Sequence, residues 1–392
     1  MTPAGEIYVV LTHRAGQVAA VEIGSTRPEA ARVLIGKTPE QLLSMVPLLF
    51  SLCGNAQAYA ALLACRAALS LDTEPEADAA RECLLQLETV REHAWRILLD
   101  WPGLLDRPAD KIALAALLKL DRQFKSCLFK DGEAFKLDSQ WQIDAPGLQS
   151  LLAELTVLID QAIFAGGLSG FLVASNEAQL RDWLDGNTGL AAELLRALYQ
   201  RDWLALGNNH VAGLPVLDPV ELNRQMQNTD LLVFCRMPQW QGRCYESTPL
   251  SRQQASPLMA DLHSCYGNGL LARFVAVLLE VAAIQQGLKL SAGSASACAT
   301  DGIGLAQVQA ARGLLIHRLA LSQGRVYDYR IVAPTEWNFH PGGVLARGLK
   351  SLQAADADGL RQQAEWLINA VDPCVQYRLV LTPENRIIEV AP

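Results

Sequence analysis

The sequence predicts a mainly α fold with a small β component (α+β), and three observations predict it. Ala and Leu are abundant while aromatic residues make up only 6% of the chain, a mix that favours buried helices over sheets. Apolar residues make up 51%, and long stretches carry them at helical spacing. Strand-like alternation is confined to a few short segments.

Residues 6–13 and 17–23 alternate apolar and polar around Arg14-Ala15-Gly16, which predicts an N-terminal hairpin within residues 1–30. Thr38-Pro39-Glu40 opens a helix, with Thr38 as N-cap and Pro39 at the first position; Gly54 ends it near Cys53. A helical core over 38–200 follows. Its helices fall at about 56–71, 77–99, 111–124, 148–165, 177–184 and 191–199. The 77–99 helix carries the stripe Leu84, Leu85, Leu87, Val90, His93, Ala94 and Leu98, and Trp101-Pro102-Gly103 ends it. Gly, Pro, Asn and Gln accumulate over 205–256, which predicts a loop-rich segment of the kind that often covers or lines a site. Residues 257–392 return to helix at 258–286, give a strand at 324–332, and close with a hairpin of 376–381 and 386–390. With no internal repeat, residues 1–392 read as a single domain.

Net charge excludes one class of function. With 33 Lys and Arg against 41 Asp and Glu, the chain carries −8, which demotes a nucleic-acid-coating protein. The apolar stretches at 46–71 and 274–280 are interrupted or too short for a bilayer span, so no membrane span is expected. Nine cysteines, an odd number, and an opening without a basic signal-peptide region imply free thiols in the cytoplasm.

Generic motifs fail. There is no phosphate-binding GxxxxGK[ST], Gly302-Ile303-Gly304 lacks its third glycine, Gly166-Gly167-Leu168-Ser169-Gly170 has the wrong serine spacing for a nucleophile elbow, and no CxxC occurs. Cys235, Cys244, His263 and Cys265 fit no common zinc spacing.

Four distant segments do carry a pattern. Cys53-Gly54-Asn55-Ala56-Gln57-Ala58-Tyr59-Ala60 resembles the R-x-C-G-x-C-x-x-x-H motif of nickel-iron hydrogenase large subunits. Gln309-Ala310-Ala311-Arg312-Gly313-Leu314-Leu315-Ile316-His317 is similar to their E-A-P-R-G-x-L-x-H. Pro334-Thr335-Glu336-Trp337-Asn338 is similar to P-[ST]-x-W-N, and Asp372-Pro373-Cys374-Val375-Gln376-Tyr377-Arg378-Leu379-Val380 to D-P-C-x-x-C-x-x-H. Thr248-Pro249-Leu250-Ser251-Arg252 resembles the G-P-L-A-R stretch. Each motif alone is weak; all of them in family order, over about 50–380, are specific.

The departures point further. Ala56 and Tyr377 stand where the family has the second cysteine of each pair, and Ala60 and Val380 where it has histidines. Only Cys53 and Cys374 remain, as in the large-subunit-like maturation proteins of the HupK/HoxV type. That resemblance implies a helix bundle like a reduced large subunit, flanked by small terminal hairpins. It implies a metallochaperone or scaffold that holds Fe(CN)2(CO) without nickel. Its expected partners are a cofactor-delivery complex and the catalytic large-subunit precursor. Cys53 and Cys374 are the implied iron ligands, Arg312 and Thr335 the implied cyanide holders, and Pro334 and Leu315 the implied lining. The residue types agree. Two thiolates are too few for two metals, an arginine offsets an anionic group, and carbon monoxide takes an apolar niche. Tyr377 and Cys65 are candidate extra ligands. The rival expectations are an atypical one-metal oxidoreductase subunit and a metal-free structural partner of an immature hydrogenase.

Overall fold

The computed structural model describes residues 5–50, 52–288, 296–300 and 302–384. Strands β1 (Ile7–Arg14) and β2 (Gln17–Ser25) form the predicted hairpin. Its turn uses Ala15 and Gly16, at φ +47° and +75°. A Cβ on Gly16 would lie 2.0 Å from the Ala354 carbonyl, so glycine is required there.

Helix α1 (Pro39–Leu49) starts as predicted, with a capping box between Thr38 and Gln41. Gly54 is not the end of this helix but the first residue of α2 (Gly54–Ala68). Helix α3 (Pro75–Leu99) packs on α2 and on the helix Lys111–Leu128. The helices Ala145–Ile159, Glu177–Gly186 and Leu190–Arg201 lie close to their predicted spans. Among the described residues, Ala145–Phe164 is long and apolar enough to cross a membrane by length and composition alone.

A four-stranded antiparallel sheet is the main surprise. It takes β3 (Ser296–Thr300), β4 (Ile303–Ala310), β5 (Gly313–Ser322) and β6 (Arg325–Val332) in that order. Only β6 is anticipated from alternation. The middle strands are buried on both faces, so their apolar runs carry no period of two to read. One face meets the main core: Ala306, Val308, Leu315 and Leu319 join a cluster that draws residues from Ile7 to Val371. Small residues of α2 let it lie close on β4; a Cβ on Gly304 would sit 1.9 Å from the Ala64 carbonyl. The other face carries Leu305, Leu314 and Ile316 into a second cluster with Leu222, Met226 and Phe234. Those last residues come from 205–256, which holds three short helices, Pro219–Gln227, Leu231–Arg236 and Pro249–Arg252, and roofs the sheet.

The first strand of the expected C-terminal hairpin is present, runs further than expected, and has a partner the sequence did not indicate. Strand β7 (Tyr377–Pro383) pairs in parallel with β1, giving a three-stranded sheet β2-β1-β7. Thr382 and Pro383, expected to turn, stay in register with Thr12 and His13. Alternation marks a strand but not its partner. The expected strand at 386–390 lies outside the described residues.

Candidate functional site

The four motif segments meet because buried polar groups tie them together. Arg312 sits in the tight turn between β4 and β5, followed by Gly313 at φ +132°, where a Cβ would strike Ser247. Asn338 Nδ2 donates to the carbonyls of Ser247 (2.8 Å) and Arg312 (3.2 Å). Ser247 Oγ accepts from the Leu314 amide at 2.8 Å. Arg252 donates to the carbonyls of Ala310 and Ala311, and its guanidinium pairs with Glu280, which also meets His93 Nε2 at 2.9 Å. His93 is thus a core histidine with a partner.

Cys53 is the N-cap residue of α2 but makes no capping bond. Glu88 of α3 takes that role, accepting from the amides of Asn55 (2.8 Å) and Ala56 (2.9 Å). Cys374 follows the helix Ala357–Val371, whose C-cap Asp372 adopts the left-handed conformation at φ +55° and swings the chain toward β7. The two cysteines, 53 and 374, line one cavity of about 170 Å³, together with Arg312, Pro334 and Thr335. Arg27, Gln57, Phe50, Ala333 and Val375 are among its other walls.

Leu315 is not among the lining residues. It lies fully buried on the face of β5 that points into the helical core, while Ala310 and Ala311 at the turn supply that apolar wall. Tyr377 lines a larger neighbouring cavity and its hydroxyl accepts from Asn369. Cys65 is buried in α2 away from the cavity. Neither candidate extra ligand faces both sulfurs. The segment 205–256 does not reach this cavity either.

Arg312 is buried with its charge matched on the protein side. Nη1 donates to Glu92 at 2.9 Å and Nε lies 3.0 Å from Asp372 Oδ2. Burial works against its charge, and Asp372, Glu92 and Cys374 outweigh burial. Arg91 and Arg96 complete the network at 2.8 and 3.1 Å from the same two acids. Thr335 Oγ1 donates to Cys374 Sγ at 3.0 Å. Desolvation, then Glu88 and Cys374, push the Cys53 thiol up to about 12, so it is protonated near neutral pH. Burial likewise lifts Glu88 to about 7 against the pull of Arg91 and the two amides.

A relay the sequence did not reveal ends on Cys53. The amide oxygen of Gln57 only accepts, so His317 Nε2 donates to it at 2.9 Å. His317 Nδ1 then accepts from the Tyr329 hydroxyl at 2.6 Å, and Gln57 Nε2 donates to Cys53 Sγ at 3.6 Å. Burial lowers the His317 pKa from 6.5 to about 3, which holds the ring neutral. A folded pKa below the unfolded one means the unfolded chain binds the proton first. His317 therefore costs no stability above pH 6.5, and its cost grows as pH falls from 6.5 toward 3. We expect urea unfolding of the wild type to lose up to about 1.4 kcal/mol more per pH unit than His317→Gln across that window. Equal slopes would mean the ring is not buried neutral.

Among the described residues, no group of three or more His, Cys, Asp or Glu is arranged to hold a metal ion. Two thiols, arginine donors and apolar walls suit a metal that brings further ligands of its own better than a bare cation.

The fold is that of nickel-iron hydrogenase large subunits. The reduced Ni-Fe-Se hydrogenase of D. vulgaris Hildenborough matches with a TM-score of 0.64 at 15% identity, over 93% of this chain and 95% of that one. That of Desulfomicrobium baculatum matches at 0.61 and 14%, over 93% and 95%. No family model matches the chain. Full-length relatives narrow the class. The hydrogenase expression/formation protein HupV of Azotobacter chroococcum is 32% identical over 96% of this chain and 98% of its own. HoxV of Cupriavidus necator is 32% identical over 96% of both, and HupK of Azotobacter vinelandii 29% over 96% and 98%. The chain belongs to this family of hydrogenase expression/formation proteins.

Proposed function

We propose that this protein is a cytoplasmic accessory scaffold that holds Fe(CN)2(CO), accepts it from a delivery complex, and passes it to the catalytic large-subunit precursor without redox turnover. The observation that carries this reading is the pair Cys53 and Cys374, facing one small cavity that, among the described residues, no other cysteine, histidine or carboxylate lines. Loading would exchange the bonds that hold the group on the delivery complex for two Fe–S bonds here, with the two thiol protons passing to solvent or to the ligands left behind on that complex and iron staying Fe(II). The product is a dianion, which a largely apolar cavity tolerates only with donors such as Arg312. Burial of the carbon side chain of Ala56, in place of a thiolate, supports a set built for one metal. Exposed Leu48 and Leu52 near the cavity offer apolar surface to a protein partner.

Infrared spectra and metal analysis of protein purified anaerobically from cells with the maturation machinery test this. We expect carbonyl and cyanide stretches with iron and without stoichiometric nickel. Nickel at one per chain with hydrogen-dependent dye reduction, or no iron under any co-expression, would replace the scaffold with an enzyme subunit or a metal-free structural partner.

A further inference from the structure

Two cyanides need two sets of donors, and the hydroxyl expected to serve one of them is already committed. Thr335 Oγ1 spends its proton on Cys374 Sγ at 3.0 Å, and a thiolate there would hold it more firmly. Arg312 retains Nη2, because Nη1 serves Glu92 and Nε faces Asp372.

The charged side chains lining the cavity, among the described residues, are Arg312 and Arg27. Arg27 reaches it from the loop after β2. The Arg27 amide donates to Ser25 Oγ at 3.2 Å, and Thr26 N bonds to the Glu6 carbonyl. Its Nη1 donates to Glu336 at 2.8 Å. Among the described residues, Nε and Nη2 of Arg27 have no hydrogen-bond partner. Glu336 also feels Arg236, so its carboxylate is shared between two arginines, while burial pushes its pKa up. Burial works against the charge of Arg27, and the combined pull of Cys374, Glu336 and Cys53 outweighs it. Arg27 lines the same cavity as both sulfurs and reaches it from a different element than Arg312 does.

We infer that Arg27 is a cargo-binding residue, which donates to one cyanide of the bound iron group while Arg312 donates to the other. This rests on the scaffold reading above and adds a second cation to it. The N-terminal hairpin thereby becomes part of the site rather than a flank. Two arginines from separate elements would offset a dianion held by so few protein ligands.

The test compares Arg27→Leu, Arg27→Lys and Glu336→Gln with the wild type, each purified anaerobically from the same maturation background. Loss of a charge-assisted hydrogen bond predicts about tenfold or greater loss of iron occupancy in Arg27→Leu. Any residual cargo should show one cyanide stretch displaced and the carbonyl stretch little changed. Arg27→Lys should restore part of the occupancy. Glu336→Gln breaks the same ion pair yet leaves the cation, so it should load like the wild type. Unchanged occupancy and stretches in Arg27→Leu, with a loaded wild type, overturn this inference and leave the scaffold reading intact. Equal loss in Glu336→Gln also overturns it, since the ion pair then acts through the fold. A wild type without bands overturns both.

Discussion

Replacing either Cys53 or Cys374 with serine is expected to abolish retention of the iron group while leaving the fold in place. Among the described residues each sulfur has one hydrogen-bond partner, Gln57 Nε2 for Cys53 and Thr335 Oγ1 for Cys374, and serine can keep either bond. What serine cannot supply is a soft thiolate. Among the described residues no other cysteine, histidine or carboxylate lines the cavity, so the loss of one leaves the metal on a single anchor. Even outer partners of metal ligands are worth about 10–100-fold in affinity, so removing a ligand should cost at least about 100-fold. Infrared spectra should lose their carbonyl and cyanide bands in both variants, with circular dichroism unchanged. Bands that survive in either variant would place the cargo elsewhere.

The second large effect is at Arg312, and it has two parts. Arg312→Leu removes the cation that Glu92 and Asp372 both face, leaving two carboxylates at a dry boundary. Breaking a buried pair typically costs about 3–5 kcal/mol. Arg91 and Arg96 still reach those acids, so the lower end is expected here. The unloaded variant should therefore unfold at clearly lower urea, and protein made with the maturation machinery should carry little iron. Arg312→Lys separates the parts. It keeps charge near the acids but loses the planar fork, so it should recover more stability than cargo. Arg312→Leu that loads like the wild type would remove Arg312 from the binding site.

Much of this site was legible in the sequence, for reasons that differ by residue. Cys53, Arg312, Thr335 and Cys374 stand in short ordered motifs, and the structure brings those motifs to one cavity. Arg27 and Gln57 carried no signal. Arg27 belongs to no motif, and Gln57 is a generic position inside one. Both matter only through what lies across space from them. Leu315 went the other way, because a motif position says nothing about which face of a strand it occupies until the sheet is known.

The same division holds for the fold. The capping box at Thr38, the Ala-Gly turn at 15–16 and the helical periods are local, since their energies come from residues within a turn or two of one another. The sequence by itself determined those, and it determined that two of the four family thiols are absent. Only the tertiary structure decided that β7 pairs in parallel with β1, and that β4 and β5 are strands sandwiched between two cores. It alone decided that Thr335 is spent on a sulfur and that Arg27 faces the same cavity. Hydrogen bonds and burial across hundreds of residues set those features, and no local pattern encodes the partner of a long-range bond.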